Sequence, residues 1–242
     1  MIMFDAIVDE YFETRPEFLA EINDFERRHN LSLWKKLNRE RNEINFFSWL
    51  SEVRFGLFFD KICDDLQNDY VIGRKKPDWL INMNGQKILA EVVRLNAPED
   101  EEKNSIKMSR QLRQFQKENP EVPIVVQGGA KVVSFEFLGG NQSKLQQKEE
   151  KYRGIITENK LPFILCVATS LRTYLCQSMF FHFLMGSRGF YKSDENFGRN
   201  VTGVLLNTYF NEFFYYQNEG ALFQLSKRNI DTLLPLFCNN AY

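Results

Sequence analysis

Apolar residues in the N-terminal part of the chain repeat at helical spacing. Phe18, Ile22 and Phe25 recur every three or four positions, and Pro16 suits the first turn of a helix. A stronger stripe of aromatic and aliphatic residues predicts a helix over 44–62. Further helices are predicted over 5–13, 16–28 and 31–41. Glu52 sits just off the apolar stripe of the 44–62 helix, so we expect it to be half-buried.

From residue 70 the pattern becomes that of short strands. Asn84-Gly85 is the strongest short-range signal for a two-residue type I′ hairpin, and it separates predicted strands over 78–83 and 86–95. Other strands are predicted over 70–73, 122–127, 131–138 and 201–206. The uninterrupted apolar run 162–168 has the form of a strand buried on both faces.

Helices predicted over 104–118, 143–159 and 174–185 alternate with these strands. The chain has no internal repeat, and its one charge-rich break, 98–103, is too short to divide domains. The tail over 221–237 is ambiguous. We therefore expect an α/β fold with a mixed central sheet flanked by helices, formed by a single domain over 44–242 after a helical N-terminal extension over 1–43.

Composition narrows the classes of function. The 242 residues include 31 Lys+Arg and 32 Asp+Glu, so any nucleic-acid surface must be a local patch. Two histidines and four cysteines without CxxC spacing argue against a zinc site, a His-centred triad or a disulfide scaffold. No stretch has the roughly 18 apolar residues of a membrane span, and the acidic start does not resemble a signal peptide. We expect a cytoplasmic protein with no membrane partner.

The predicted hairpin brings two carboxylates together. In the register of a two-residue turn, Asp78 falls directly opposite Glu91. Directly opposed side chains share one face, with Cβ atoms about 4.5–5.5 Å apart, and like charges there repel. A hard cation such as Mg²⁺ or Mn²⁺ relieves the repulsion because it binds carboxylate oxygens and waters. A slip of one residue would put the two carboxylates on opposite faces. The alternative is that Asp78 simply starts a strand after a turn while Glu91 lies exposed at a sheet edge.

These residues resemble the signature of the PD-(D/E)XK nuclease superfamily. That signature is Pro-Asp at the start of one strand and Glu-x-Lys on the next, after a helix that carries an acid. Asp78 after its proline, Glu91 and Glu52 match it in order and type across roughly residues 45–170. The resemblance implies a restriction-endonuclease-like fold and Mg²⁺- or Mn²⁺-dependent hydrolysis of phosphodiester bonds, with DNA as the expected partner. It also implies metal binding by Asp78 and Glu91, with Glu52 as a further ligand.

One position departs from the signature, because Val93 stands where the family has its lysine. In such enzymes that lysine positions or activates the attacking water and offsets charge in the transition state. Either another cation substitutes for it, or the site is catalytically silent. Lys76, expected opposite Val93, is the preferred substitute and the fourth catalytic candidate. Lys148 and Lys151 are alternatives, whereas Arg94 points to the other face and stays charged at any working pH.

Two basic stripes are candidates for contact with a phosphate backbone, with solvated helix faces as the alternative. The first stripe spans about a 90° arc of the 104–118 helix, opposite the apolar Met108, Leu112 and Phe115. The second lies on the 143–159 helix. The nucleic-acid-binding candidates are Lys103, Lys107, Arg110, Lys117, Lys148 and Lys151.

Two further interpretations stay open. A catalytically inactive protein of the same fold would act as a nucleic-acid-binding or protein-interaction module. A structural or regulatory protein would instead use its aromatic C-terminal third as an oligomer interface, for example in a homodimer.

Overall fold

A computed structural model of the chain describes residues 11, 15–33, 42–96, 99–122, 131–132, 143–169, 173–174, 177–187, 189–208 and 212–233. Its helices are α1 Pro16–His29, α2 Glu43–Asp60, α3 Glu99–Glu118, α4 Lys144–Asn159, α5 Gln177–Met185, α6 Phe190–Ser193, α7 Glu195–Asn200 and α8 Lys227–Leu233. Its strands are β1 Asp65–Asn68, β2 Trp79–Met83, β3 Gln86–Leu95, β4 Lys131–Val132, β5 Phe163–Thr169, β6 Thr173–Tyr174, β7 Gly203–Asn207 and β8 Phe213–Gln217.

Six strands form one open mixed sheet in the order β1-β2-β3-β5-β7-β8. The first three strands pair antiparallel, β3, β5 and β7 run parallel, and β8 returns antiparallel to β7. Strands β4 and β6 form a separate parallel pair. The predicted α/β fold with a mixed central sheet is thus confirmed.

The β2–β3 hairpin has the predicted register. Its five pairs run from Trp79 opposite Ala90 to Met83 opposite Gln86. The two turn residues have φ of 50° and 77°, the pair of positive values that defines a type I′ turn. Because the first pair of the ladder is Trp79 with Ala90, the ladder stops one residue short of Asp78.

Helices cover both faces of this sheet. One core cluster joins α1 and α2 to alternate residues of β2, β3 and β5, among them Trp79 and Ala90. The other joins α4, α5, α6 and α7 to the intervening residues, among them Leu89 and Val93. Every residue of β5 except the last is buried, as the apolar run predicted. Alternate side chains of β3 therefore face different helices.

Helix α2 approaches the sheet most closely at Gly56. A Cβ atom placed on Gly56 would lie 2.5 Å from Cζ2 of Trp79, which is fully buried. The Trp79 indole N–H donates a hydrogen bond to the backbone carbonyl of Glu52 at 3.1 Å. The absence of a side chain at Gly56 thus lets the indole fit against α2.

The tip of the hairpin is held by α8. Asn229, which is fully buried, accepts a hydrogen bond from Nδ2 of Asn84 at 2.7 Å. Its own Nδ2 donates to the Met83 carbonyl at 3.0 Å and to Oε1 of Gln86 at 2.8 Å. The end of the hairpin remote from Asp78 is therefore fixed by a helix from the C-terminal region.

The structure differs from the predicted elements in several places. The strand predicted over 70–73 is wrong: the edge strand is β1, and it escaped notice because Leu66 alone among its four residues is buried. Helix α3 begins five residues early, since its acidic first turn suits a helix N-terminus. Helices α6 and α7 lie between α5 and β7, where no helix was predicted. Most of the predicted elements 5–13, 31–41, 122–127 and 131–138 lie outside the described residues.

The aromatic residues near the C-terminal end contribute to the core. Tyr215 and Tyr216 on β8 are buried, and Phe213 stacks on Phe58 of α2 with ring centroids 4.3 Å apart.

Within the described residues, no helix combines the length and the apolar character that crossing a membrane would require.

Candidate functional site

Asp78 and Glu91 lie side by side where β2 begins. The backbone N–H of Asp78 donates a hydrogen bond to Oε2 of Glu91 at 3.2 Å. Oδ2 of Asp78 accepts a hydrogen bond from the backbone N–H of Val92 at 2.7 Å. The Glu91 side chain is only 1% exposed, and Asp78 is partly buried. These two bonds continue the hairpin register one residue past the ladder and place Asp78 beside Glu91, as predicted.

The two carboxylates interact unfavourably when both are charged. Burial and the negative charge of Glu91 raise the pKa of Asp78 from 3.8 to about 7. The hydrogen bond from Val92 and the charges of Lys148 and Lys151 act in the opposite direction but are weaker. A cation placed beside Asp78 would favour its charged form.

Two lysines of α4 reach this pair. The ammonium groups of Lys148 and Lys151 both bind Oε1 of Glu91, the second at 3.2 Å. Residues three apart on a helix share a face, so one helix supplies both cations. Their side chains are 33% and 41% exposed, so the ammonium groups connect a buried carboxylate with the solvent. Of the predicted basic residues, these two are the ones brought to the acidic pair.

The acids that interrupt the α4 stripe do not all weaken it. Glu149 turns inward, is 2% exposed, and forms a two-bond ion pair with Arg153. It also accepts a hydrogen bond from Asn200 at 2.7 Å. This contact joins α4 to α7 and leaves the lysine face directed toward Glu91.

Tyr152 is a member of the site that the sequence pattern did not indicate. Its hydroxyl donates a hydrogen bond to the backbone carbonyl of Lys76 at 2.7 Å, and its ring is fully buried. The ammonium of Lys151 lies 4.5 Å from the ring centroid, within the range of a cation–π contact. Burial and the negative charge of Glu91 raise the pKa of Tyr152, which keeps the hydroxyl protonated. The only sequence signal was its position beside Lys151 on the lysine stripe.

Lys76 is placed differently from the α4 lysines. It is exposed, and its backbone carbonyl is the group that joins the cluster. The ladder ends before the expected pairing of Lys76 with Val93 is reached. Val93 is 3% exposed and packs in the core cluster on the α4 side. The ammonium groups that contact the acidic pair thus come from Lys148 and Lys151.

Glu52 is partly buried, as expected, and lies on α2. Trp79, which contacts Glu52, and its neighbour Asp78 point to opposite faces of the sheet. Within the described part of the chain, no group of three or more His, Cys, Asp or Glu side chains is placed to hold a metal ion. The structure therefore brings Asp78 and Glu91 together but does not gather Glu52 with them.

The α3 stripe is partly engaged in ion pairs. Lys103 pairs with Glu99 at 2.6 Å, and Arg110 pairs with Glu43 of α2. Lys107 and Lys117 are exposed. This stripe remains a candidate surface, but it lies on a different helix from the lysines at Glu91.

The packed face of α3 differs from the predicted one. Met108 and Phe115, predicted to lie on the apolar face, are 41% and 45% exposed. The buried positions include Glu102, which forms an ion pair with Arg94 at 2.8 Å. Arg94 also lies over the ring of Phe47 on α2, at 5.4 Å from the centroid. Arg94 thus points to the face opposite Glu91, as predicted. Its ion pair with Glu102 turns that side of α3 toward the sheet.

The site combines two carboxylates with two ammonium groups on one side of the sheet. Carboxylate oxygens fit Mg²⁺ or Mn²⁺, and ammonium groups bind phosphate oxygens.

Comparison of the chain with models of protein families, with curated proteins and with solved structures finds no match.

Proposed function

We propose that this protein is a divalent-metal-dependent nuclease that hydrolyses phosphodiester bonds in DNA. The observation that carries the proposal is the pairing of Asp78 with the buried Glu91, together with the lysine ammonium groups at Glu91. Two carboxylates held close together in a buried site repel each other. Such pairs are concentrated at functional sites, where a ligand can compensate the repulsion.

The order of elements supports a restriction-endonuclease-like fold. A helix that carries an acid, α2, precedes three antiparallel strands, of which β2 follows Pro77-Asp78 and β3 contains Glu91. Helix α4 then leads to β5, which pairs parallel to β3. The part of this order that the PD-(D/E)XK signature names is the helix with an acid followed by the Pro-Asp strand and the Glu strand, and it supports the proposed fold.

The residues of the site fit Mg²⁺ or Mn²⁺ through two carboxylates, with water and substrate oxygens as the remaining ligands. Asp78 and Glu91 would hold the ion, whereas Glu52 is not gathered with them in the described part of the chain and is not assigned as a ligand. Such an ion, when bound, lowers the pKa of a coordinated water and offsets the charge of the scissile phosphate.

The α4 lysines are better placed than Lys76 to replace the cation lost at Val93. Lys148 and Lys151 already contact Glu91 through Nζ, so they supply positive charge at the acidic pair. Their role is to orient Glu91 and to bind a phosphate oxygen of the substrate. Lys76 remains the comparison candidate, because its side chain is exposed close to Asp78 in the chain.

The decisive experiment is cleavage of plasmid and oligonucleotide DNA in Mg²⁺ or Mn²⁺. We expect Asp78→Asn and Glu91→Gln to abolish cleavage and Lys148→Met to reduce it more than Lys76→Met does. Asp65→Asn removes an exposed acid from the edge strand and is the matched control. Cleavage that persists in both Asp78→Asn and Glu91→Gln would exclude this site.

A catalytically inactive module is the second candidate function, and Val93 is the observation that favours it. Calorimetry with Mn²⁺ separates the two functions. The nuclease should bind Mn²⁺ in a manner that Glu91→Gln abolishes, whereas an inactive module should bind DNA without carboxylate-dependent binding of Mn²⁺.

A further inference from the structure

We propose that residues 70–76, here called the basic turn, bind the phosphate backbone of the nucleic acid that reaches Asp78 and Glu91. This inference rests on the proposed function and names a surface that the stripes on α3 and α4 did not include. Arg74, Lys75 and Lys76 are consecutive and exposed, and positions 70–77 contain no acidic residue.

The cations of the basic turn lie apart from the ion pairs found among the described residues. Within the described ranges, none of the three forms an ion pair, in contrast to Lys103 and Arg110 on α3. An unpaired cation keeps its full electrostatic attraction for a polyanion. Its binding to phosphates releases condensed counterions, which drives association.

The backbone of the basic turn is fixed before any ligand binds. Ile72 and Lys75 exchange two backbone hydrogen bonds, at 3.0 and 3.1 Å. Gly73 supplies a φ of 58°, which an L residue rarely adopts. The carbonyl of Lys76 accepts the hydrogen bond from Tyr152 at 2.7 Å. A preorganised element loses less conformational entropy on binding than a flexible loop does.

The basic turn leads directly into the acidic pair. Asp78 follows Lys76 by two residues, and Lys148 and Lys151 bind the other member of the pair, Glu91. The basic turn thus precedes one carboxylate in the chain, and the α4 lysines contact the other. A phosphodiester strand bound by the basic turn and by the α4 lysines would pass over Asp78 and Glu91, where repulsion between the acids and the phosphates would otherwise keep it away.

The test is equilibrium binding followed by fluorescence anisotropy, with short duplex DNA and duplex RNA of the same sequence. EDTA is present, so binding is measured without metal and without cleavage. The test variant carries Arg74→Gln, Lys75→Gln and Lys76→Gln. The control variant carries Lys87→Gln, Lys227→Gln and Arg228→Gln, which removes the same charge from exposed positions at the opposite end of the hairpin.

We expect the test variant to lose about 10- to 100-fold in affinity, and the slope of log K against log salt to fall by about 2 to 3. The control variant should stay within about threefold of the unmodified protein, because its charges lie remote from the site. Binding of DNA, of RNA or of both would identify the source of the phosphates, and each of these results supports the inference.

Three results would overturn it: equal losses in the two variants, no loss in the test variant, or no binding of either duplex by the unmodified protein. Urea unfolding of each variant verifies that these exposed substitutions leave the fold intact. A failure of the nuclease proposal is recognised separately, as an absence of cleavage in Mg²⁺ or Mn²⁺ while binding in EDTA is retained.

Discussion

Lys148 on α4 forms an ion pair with Glu91 on β3, and the two residues stand 57 positions apart in the chain. Glu91 is 1% exposed, whereas a third of the Lys148 side chain is in solvent. A buried carboxylate is thus balanced by a cation that reaches inward from the surface. Lys151 binds the same oxygen, so when one lysine is removed the other still neutralises part of the Glu91 charge.

Loss of both lysines should destabilise the fold more than the sum of the single losses. We expect Lys148→Met or Lys151→Met alone to cost about 1 kcal/mol, since one cation remains. The double variant should cost about 3 kcal/mol, since the buried Glu91 then loses both ammonium groups that balance its charge. Urea denaturation measures these values, with Lys107→Met on the exposed face of α3 as the control. A double variant as stable as the parent would contradict the assignment.

Stability should fall as the pH rises from about 4 to about 7, because of Asp78. Its pKa, raised from 3.8 to about 7, means that the folded state holds a proton in this range that the unfolded state has released. This contribution is fully present below the unfolded pKa and is lost as the pH passes through the folded pKa. Asp78→Asn removes the effect.

Relative to the parent, the free energy of unfolding of the Asp78→Asn variant should therefore rise by about 3–4 kcal/mol between pH 4 and pH 8. Urea unfolding of both proteins in EDTA at a series of pH values gives this difference. A difference that stays constant with pH would show that Asp78 titrates normally.

Tyr152→Phe separates a local role at the site from general stability. The substitution keeps the buried ring but removes the hydrogen bond to the Lys76 carbonyl, which should cost about 1–2 kcal/mol. Tyr191→Phe is the matched control, because its hydroxyl donates a hydrogen bond to the Tyr216 carbonyl at 2.9 Å, away from the acidic pair. Both should lower the urea midpoint, but only Tyr152→Phe should weaken DNA binding and cleavage. If Tyr152→Phe and Tyr191→Phe changed DNA binding equally, Tyr152 would have no positioning role at the site.

Two glycines in helices should respond oppositely to alanine. Gly56→Ala places a methyl group within 2.5 Å of Trp79 and should cost about 1–3 kcal/mol despite the higher helix propensity of alanine. Gly154 on α4 is exposed, and a Cβ atom placed on it would meet nothing within 4 Å, so Gly154→Ala should stabilise by about 0.5–1 kcal/mol. Thermal melts of the two variants should shift in opposite directions, and a parallel shift would refute the close approach.

Local signals made the centre of the fold predictable. The Asn84-Gly85 turn fixed the hairpin register, and this register placed Asp78 beside Glu91. The apolar run that became β5 was recognisable because a strand buried on both faces needs no alternation. These features depend on neighbours in the chain, which sequence patterns report well.

Features that depend on distant parts of the chain were not predictable. Nothing local indicates that Lys148, rather than Lys76, brings its ammonium to Glu91, since the contact depends on how α4 crosses the sheet. The burial of α3 was misjudged for the same reason: the position of Glu102 follows from its ion pair with Arg94 on β3, and the apolar pattern gave no sign of it.

The hydrogen bonds between Asn229 and the hairpin turn bear on the order of events during biosynthesis. The hairpin is local and can form as soon as both its strands emerge, but synthesis must add 145 residues after Asn84 before its partner on α8 exists. Until then Asn84 and the Met83 carbonyl remain hydrated at an accessible turn. Docking of α8 is thus a late step, and the sensitivity of the turn to a protease during synthesis reports whether a newly made chain has completed its fold.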